Sequence, residues 1–189
     1  MSCTAGPDTA RSPEQSLDLD GMTLSYPKDP EKVILRLAVM VPQTALYRSM
    51  SLYGDGRVQL ARLGSDLEVL RSHELRLDPG EATRLLSIVG RSRLPEYDLD
   101  LTAERVNQLR GGEELNLFFG LDHAITTVEI ALDSYTNGSV ALKNVDTRIV
   151  LRAAGAAAAR YPEIEEFQAI VELTDLSYAR WEEAFGSRW

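Results

Sequence analysis

The sequence is short of cysteine and histidine, and each shortage removes a class of function. Cys3 is the single cysteine among 189 residues, so neither an internal disulfide nor a cysteine-based zinc site is available. The two histidines lack the His-x-x-x-His and His-Glu-x-x-His spacings, and there is no calcium-loop pattern. A Walker loop and a Gly-x-Ser-x-Gly elbow are also missing. The sequence therefore carries no recognisable catalytic or metal motif, and we expect no cofactor.

Long apolar runs are missing as well. None approaches the roughly 18 residues that span a bilayer. The N-terminus lacks the basic and apolar regions of a secretory signal, and Cys3 has no apolar stretch before it, as a lipoprotein anchor requires. We therefore expect a cytoplasmic protein with no membrane segment.

Positive charge is scarce relative to negative charge. The chain has 29 acidic and 20 basic residues, which gives a net charge of −9. Nonspecific affinity for nucleic acid comes largely from neutralised phosphates, so this balance argues against a nucleic-acid partner. It is compatible with a basic protein partner. The same charge also simply keeps a protein soluble, and we favour this second interpretation.

The clearest local pattern is a pair of alternating runs that flank a Gly-Asp-Gly turn, which predicts an antiparallel β-hairpin. A three-residue loop, Gly54–Gly56, pairs Leu52 with Val58 and Met50 with Leu60, so that one face of the hairpin is apolar. Burial therefore favours this loop, with its last glycine in the left-handed region of backbone conformation.

The remaining strands follow from alternation and turn residues. Val33–Val41 is apolar on both faces, so we expect a central strand that is covered on both sides. Residues 1–20 have the composition of a flexible tail, and residues 21–189 are predicted to form a single domain. Further strands are predicted over Met22–Tyr26, Leu67–Leu77, Leu115–Phe119, Ala124–Leu132 and Ser139–Val145, with a hairpin loop over Asp133–Gly138.

Helices are indicated by caps and by apolar stripes. Asp78-Pro79-Gly80-Glu81 is typical of a helix start, and Gly90 is expected to end that helix. Further helices are predicted over Thr102–Arg110, with Val106 and Leu109 inward, over the alanine-rich run Thr147–Arg160, and from Ile164 to Phe185. The last helix has about 23 residues and a length of about 34 Å at the usual rise. The fold class is therefore α+β: an antiparallel sheet of about six or seven strands, a meander plus a hairpin, with helices packed on one face.

Two residues interrupt an otherwise apolar strand face. Arg71 and His73 share the register of Val69 and Leu75, so they would line a polar pocket between the sheet and the helices if the strand is unbroken. A bulge or a frayed strand end would instead direct both side chains into solvent, and we favour this alternative. His123 follows Asp122 between two predicted strands, and its role stays open.

Aromatic and acidic side chains offer candidate contacts for a partner protein. Tyrosine and tryptophan are favoured anchors at interfaces. Two tyrosines stand on the hairpin face opposite its apolar side, the last helix carries acids opposite its apolar stripe, and a tryptophan ends the chain. The candidate partner-binding residues are Tyr47, Tyr53, Glu165, Glu166, Glu182 and Trp189.

The hairpin and the helix after it also support a family resemblance. The run Ser51-Leu-Tyr-Gly-Asp-Gly-Arg-Val58, followed by Leu77-Asp-Pro-Gly-Glu81, resembles a group of uncharacterised bacterial domains. In these domains a tyrosine, a small residue and Asp-Gly form a hairpin that precedes a Pro-Glu-capped helix. The resemblance covers about residues 47–175 and implies an α+β layer, but no activity. The region Thr102–Arg110 and the extended last helix depart from the pattern.

These patterns lead to two functional hypotheses. The first is a non-enzymatic interaction module of regulatory, inhibitor or immunity type, which presents an acidic helix face or the sheet to a protein partner. The second is a small-ligand binder or small enzyme with a pocket near Arg71 and His73. A homodimer through the long helix is compatible with either hypothesis.

Overall fold

The computed structural model describes residues 14–19, 21–42, 46–109 and 123–186. Within these ranges, eight strands form one curled antiparallel sheet and four α-helices accompany it, which confirms the predicted α+β class. The strands are β1 (Glu14–Leu19), β2 (Met22–Pro27), β3 (Val33–Val41), β4 (Leu46–Tyr53), β5 (Arg57–Leu63), β6 (Val69–Arg76), β7 (Ile125–Asn137) and β8 (Val140–Arg152). The helices are α1 (Pro79–Arg91), α2 (Leu99–Leu109), α3 (Ala154–Arg160) and α4 (Glu165–Phe185), with a 3₁₀ turn at Leu94–Glu96.

The strands follow the order β1-β2-β7-β3-β4-β5-β6, and β8 pairs along the other edge of β7. As predicted, β3 is central, and its Leu35 and Leu37 are buried on the side where α1 and α4 pack, which we call the helix face. Arg36 is exposed on the opposite side, the open face, so the expectation of cover on both sides is wrong. A bulge at the start of β3 brings Ile34 into the core, which explains the apolar character of its second face.

The β4–β5 hairpin has the predicted register. Leu52 pairs with Val58 and Met50 pairs with Leu60, and all four side chains are buried. Gly56 has a φ of 84°, which confirms its left-handed position in the loop. The hairpin is therefore selected by burial of one continuous apolar face.

The β7–β8 hairpin is longer than the sequence pattern indicates. The predicted loop Asp133–Gly138 is wrong, because residues up to Asn137 continue β7 and bury Tyr135 completely. The predicted helix over Thr147–Arg160 is also wrong in its first half, since β8 continues to Arg152 and only Ala154–Arg160 is helical. The alternating side chains of β8 pack on the helix face along its whole length, and this burial outweighs the helix propensity of the alanines that follow.

Helix α1 begins at the predicted capping box. The Asp78 carboxylate accepts a hydrogen bond from the Glu81 backbone N–H at 2.9 Å, and the Glu81 carboxylate accepts one from Asp78 N–H at 3.1 Å. The helix ends at Arg91 rather than at Gly90. Gly90 is instead a buried contact point, because a Cβ there would lie 3.0 Å from Cδ1 of Leu24.

The other helices form a second, smaller core. Val106 of α2 is buried against α3 and the start of α4, as predicted. Leu109 is exposed rather than inward, because α2 packs against this cluster through the side that carries Thr102 and Val106. Helix α4 confirms the predicted long C-terminal helix, and its residue Trp181 is among the largest fully buried side chains.

The N-terminal prediction needs a correction at its boundary. Residues 14–19, assigned to the tail, pair with β2 as strand β1, and Leu19 packs into the core. The predicted strand Leu115–Phe119 and the candidate Trp189 lie outside the described residues. In the described part of the chain, no helix has both the length and the apolar character needed to cross a membrane.

Candidate interaction edge

Strand β6 lies at one end of the sheet and pairs only with β5 among the described strands. Its side chains are exposed from Val69 to Arg76, except that Leu75 is half-buried. Three large apolar side chains stand out at its start: Leu67 is 61% exposed, Val69 63% and Leu70 53%. We call strand β6 together with Leu67 the β6 edge. It combines an unpaired backbone edge in the described structure with a short apolar surface.

Three arginines lie side by side across the strands next to this edge. Arg48 of β4 is directly opposite Arg62 of β5, and Arg62 is directly opposite Arg71 of β6. We call these three residues the arginine row. The row lies on the helix face, because the neighbouring pair on β5 and β6 joins His73 to the buried Leu60. Like charges directly opposite one another repel, so such a row needs compensating contacts, and Arg48 and Arg62 have further contacts within the chain.

Aromatic side chains in the last part of α4 contact the two outer residues of the arginine row. The guanidinium carbon of Arg48 lies 5.2 Å from the ring centre of Tyr178, and that of Arg71 lies 4.8 Å from the ring centre of Phe185. The His73 ring meets Phe185 edge-on, with 6.1 Å between the ring centres. The two arginine contacts have the distances of cation–π interactions, and the His73–Phe185 contact has T-shaped geometry. The aromatic groups therefore orient the basic side chains at the corner between sheet and helix.

Two acids near the β6 edge make contacts within the chain. Glu74 pairs with Arg57 at 3.1 Å, and the Glu68 carboxylate accepts a hydrogen bond from the Asp66 backbone N–H at 3.0 Å. The guanidinium of Arg71, by contrast, rests on Phe185 and pairs with no carboxylate of the described residues. Three basic side chains thus lie together at this corner, although the whole chain carries a net charge of −9.

The structure separates the residues proposed from the sequence. Arg71 and His73 share a face, as their spacing predicts, but both are exposed at the β6 edge. A register shift lies between Arg71 and Val69, where Leu70 is the extra residue. The two side chains flank Phe185 in an open position between the last strand and the end of α4.

The proposed partner residues lie on different surfaces. Tyr47 and Tyr53 are half-buried, and Tyr53 stacks under Arg57 at 4.1 Å. On α4, Glu165 and Glu182 are exposed, whereas Glu166 is largely buried and pairs with Arg105 at 2.6 Å. These residues do not form one surface, and the acidic face of α4 is partly neutralised by arginines of the chain itself.

A second polar cluster surrounds the 3₁₀ turn. The Tyr135 hydroxyl is 2.9 Å from Glu96 Oε1, and Arg93 Nε is 3.1 Å from both carboxylate oxygens. Burial would raise the pKa of Glu96, but the hydrogen bonds from Arg93 and Tyr135 outweigh it and lower that pKa. Burial and the hydrogen bond to Glu96 raise the pKa of Tyr135 to about 12. We call this cluster the Glu96 clamp, since it ties the turn to β7.

The clamp borders a cleft of about 470 Å³ that is also lined by Arg105 and Glu166. Both arginines of this cleft pair with its acids, Arg93 with Glu96 and Arg105 with Glu166, which favours a structural role for these four side chains. Among the described residues, no group of three or more His, Cys, Asp and Glu side chains has the arrangement of a metal site.

Comparison with known proteins does not add to these observations. No protein-family model matches the chain, and no curated protein sequence matches it. The resemblance to uncharacterised bacterial domains thus stays a prediction, and its implied α+β layer agrees with the observed sheet and helices.

Sequence reasoning missed two parts of these sites. Arg48 and Arg62 were not singled out, although the predicted hairpin register already aligns them across the two strands. The Glu96 clamp joins residues 39 positions apart, Tyr135 and Glu96, and no local pattern signals it.

Proposed function

We propose that the chain is a protein-interaction module that acts by binding rather than catalysis, and that it takes an extended segment of a partner protein along the β6 edge. One observation supports this most directly. An end strand of eight residues carries exposed apolar side chains at its start and pairs with no described strand on its outer side. Such an edge presents backbone N–H and C=O groups that can pair with an added strand.

The other surfaces of the molecule are less suited to this role. The pairing of β8 with β7 skips Asn144, which has a φ of 51°, and the Thr147 hydroxyl donates to the carbonyl oxygen of Pro95 in the 3₁₀ turn. Interrupted and partly covered edges resist strand addition. On α4, Glu166 and Glu183 pair with arginines of the same chain, which reduces the acidity of that face. These comparisons favour the sheet, at its β6 end, over the acidic helix face.

Selection of short linear peptides from a random phage-displayed library, against the immobilised full chain, tests the proposal. The peptides recovered on the wild type are measured by fluorescence anisotropy against Leu70→Ser and the control Val150→Ser. The two side chains are matched in exposure, at 53% and 50%, but lie at the β6 edge and on β8. Both changes are at exposed positions, where substitutions alter stability little.

We expect Leu70→Ser to weaken the selected peptides about fivefold, because covering half of a leucine side chain stabilises a complex by about 1 kcal/mol. Val150→Ser should bind as the wild type does. The backbone amide signals of β6 should shift in ¹H–¹⁵N spectra when peptide is added. Failure to recover peptides, or equal binding by all three proteins with signal changes on α4 or β8, would overturn the proposal.

A further inference from the structure

We propose that the partner segment is acidic, and that it places a carboxylate directly opposite Arg71 on the strand added to β6, at the outer end of the arginine row. This inference rests on the proposed function, because it assigns a chemistry to the segment that the β6 edge takes. It concerns an extended acidic peptide, and no other ligand class.

Strand geometry determines where that carboxylate lies. A strand added to β6 runs about 4.8 Å from it, and directly opposite side chains have Cβ atoms about 5 Å apart. The position opposite Arg71 is on the helix face, because Arg71 shares that face with His73. An acidic side chain there reaches the guanidinium of Arg71 and lies beside the ring of Phe185, which holds that guanidinium from the α4 side.

Charge complementarity favours this occupant over a second copy of the chain. Arg71 lies at the outer end of the arginine row, where its guanidinium rests on Phe185, and a carboxylate opposite it forms a charge-assisted hydrogen bond. Antiparallel pairing of β6 with another β6, centred on Ser72, would place Arg71 opposite the His73 of the second copy and bring two arginine rows together. The same charges that attract an acidic segment therefore disfavour self-pairing.

The apolar start of the β6 edge adds a second requirement. Val69 and Leu70 lie two and one positions before Arg71 and are both exposed. A segment that covers them and also pairs with Arg71 carries apolar residues at one end and an acid one or two positions further on. Because the sheet is antiparallel throughout its described part, we expect the added strand to run antiparallel to β6.

The experiment uses synthetic copies of the peptides that the wild-type chain selects, each made with its acid and with the matching amide, Asp to Asn or Glu to Gln. Each pair is measured against the wild type, Arg71→Gln and the control Arg148→Gln. Both arginines are exposed. Arg71 lies on β6 and Arg148 on β8, at opposite ends of the strand order β8-β7-β3-β4-β5-β6, and Arg148 has its own carboxylate neighbour, Glu129, at 3.5 Å. Titrations are repeated at about 50 mM and about 500 mM NaCl, because salt screens exposed charge pairs.

We expect the acidic peptide to bind the wild type about tenfold more tightly than its amide form, the size of one hydrogen-bonded charge pair. Arg71→Gln should remove this difference, whereas Arg148→Gln should retain it. The preference should shrink at the higher salt concentration. If Arg71→Gln weakens the acidic and the amide peptides equally, the carboxylate does not contact Arg71 and the inference is wrong.

The outcomes separate the inference from the proposed function. Peptides that shift the β6 amide signals and depend on Leu70, but show no preference for the acid, would overturn the acidic partner while the interaction edge stands. Peptides that bind away from β6 would overturn both. A short single-stranded DNA of random sequence that binds more tightly than the acidic peptide, and depends on Arg71, would replace the peptide with a nucleic acid and overturn the inference.

Discussion

Replacement of Tyr135 by phenylalanine tests the Glu96 clamp with a single oxygen atom removed. The hydroxyl lies 2.9 Å from Glu96 Oε1 and 3.2 Å from the Gly90 carbonyl oxygen, and the side chain is fully buried. Hydrogen bonds to charged groups contribute about 1.5–3 kcal/mol. Glu96 keeps its contacts with Arg93 and Asn137 in the variant, so we expect a loss near the lower limit, about 1.5 kcal/mol in the free energy of unfolding.

Urea unfolding at pH 7, followed by circular dichroism, measures this loss, and thermal unfolding should show a decrease in Tm of about 3–6 °C for a domain of this size. Tyr53→Phe is the control. Its hydroxyl is 3.4 Å from the neutral Gln59 Oε1 and the residue is half-buried, so we expect a change below about 0.5 kcal/mol. Equal losses in the two variants would refute the assignment of a charged hydrogen bond to Tyr135.

The same clamp predicts a dependence of stability on pH. The pKa of Glu96 is lowered in the folded protein, so the folded state gains stability from this group above its unfolded pKa. That contribution is lost as the pH falls through the folded pKa. Glu96→Gln should therefore destabilise the protein at pH 7, and the difference from the wild type should narrow as the pH falls from about 5 toward 3. A constant difference between the two proteins over this range would contradict the lowered pKa.

Two further pairs of substitutions test local features by urea unfolding. Gly56→Ala should lower the free energy of unfolding by about 1 kcal/mol, because φ at this position is 84°. Gly155→Ala should raise it by up to about 1 kcal/mol, because the position is helical and a Cβ there meets open space. A change of the same sign in both variants would contradict the loop assignment. Arg105→Gln should cost about 1–3 kcal/mol because it leaves the largely buried carboxylate of Glu166 without this partner. Arg84→Gln, whose exposed pair with an acid of α4 spans 3.7 Å, should cost less than about 0.5 kcal/mol, and equal losses would show that burial does not matter at Glu166.

Much of the fold follows from local sequence physics. The β4–β5 hairpin could be predicted in full, because only one loop length puts Met50 and Leu52 on the same buried face as their partners. The capping box fixed the start of α1 at Asp78, and the apolar stripe predicted α4 to within one residue. In each case the signal lies within a few residues, and burial and backbone hydrogen bonding agree.

The errors lie where distant contacts decide the outcome. The run after Leu132 has the polar residues of a turn, yet Tyr135 extends β7 because its ring enters the core and its hydroxyl meets Glu96. The candidate site shows the same division. The pairing of Arg48 with Arg62 follows from the hairpin register, but the place of Arg71 beside them depends on the register between β5 and β6, which are joined by a longer turn that does not set the pairing.

The position of β7 also bears on how the chain is made. Strands β2 and β3 do not pair with each other in the described structure, and both bind the same edge of β7, at its second and first halves respectively. About 84 residues separate the end of β3 from the start of β7. At about 5–20 residues per second, a ribosome needs several seconds to supply that missing strand. During this interval the edges of β2 and β3 that later pair with β7 lack their partner strand. Unpaired strand edges can pair with other chains, so we expect a chaperone to bind the nascent chain at this stage.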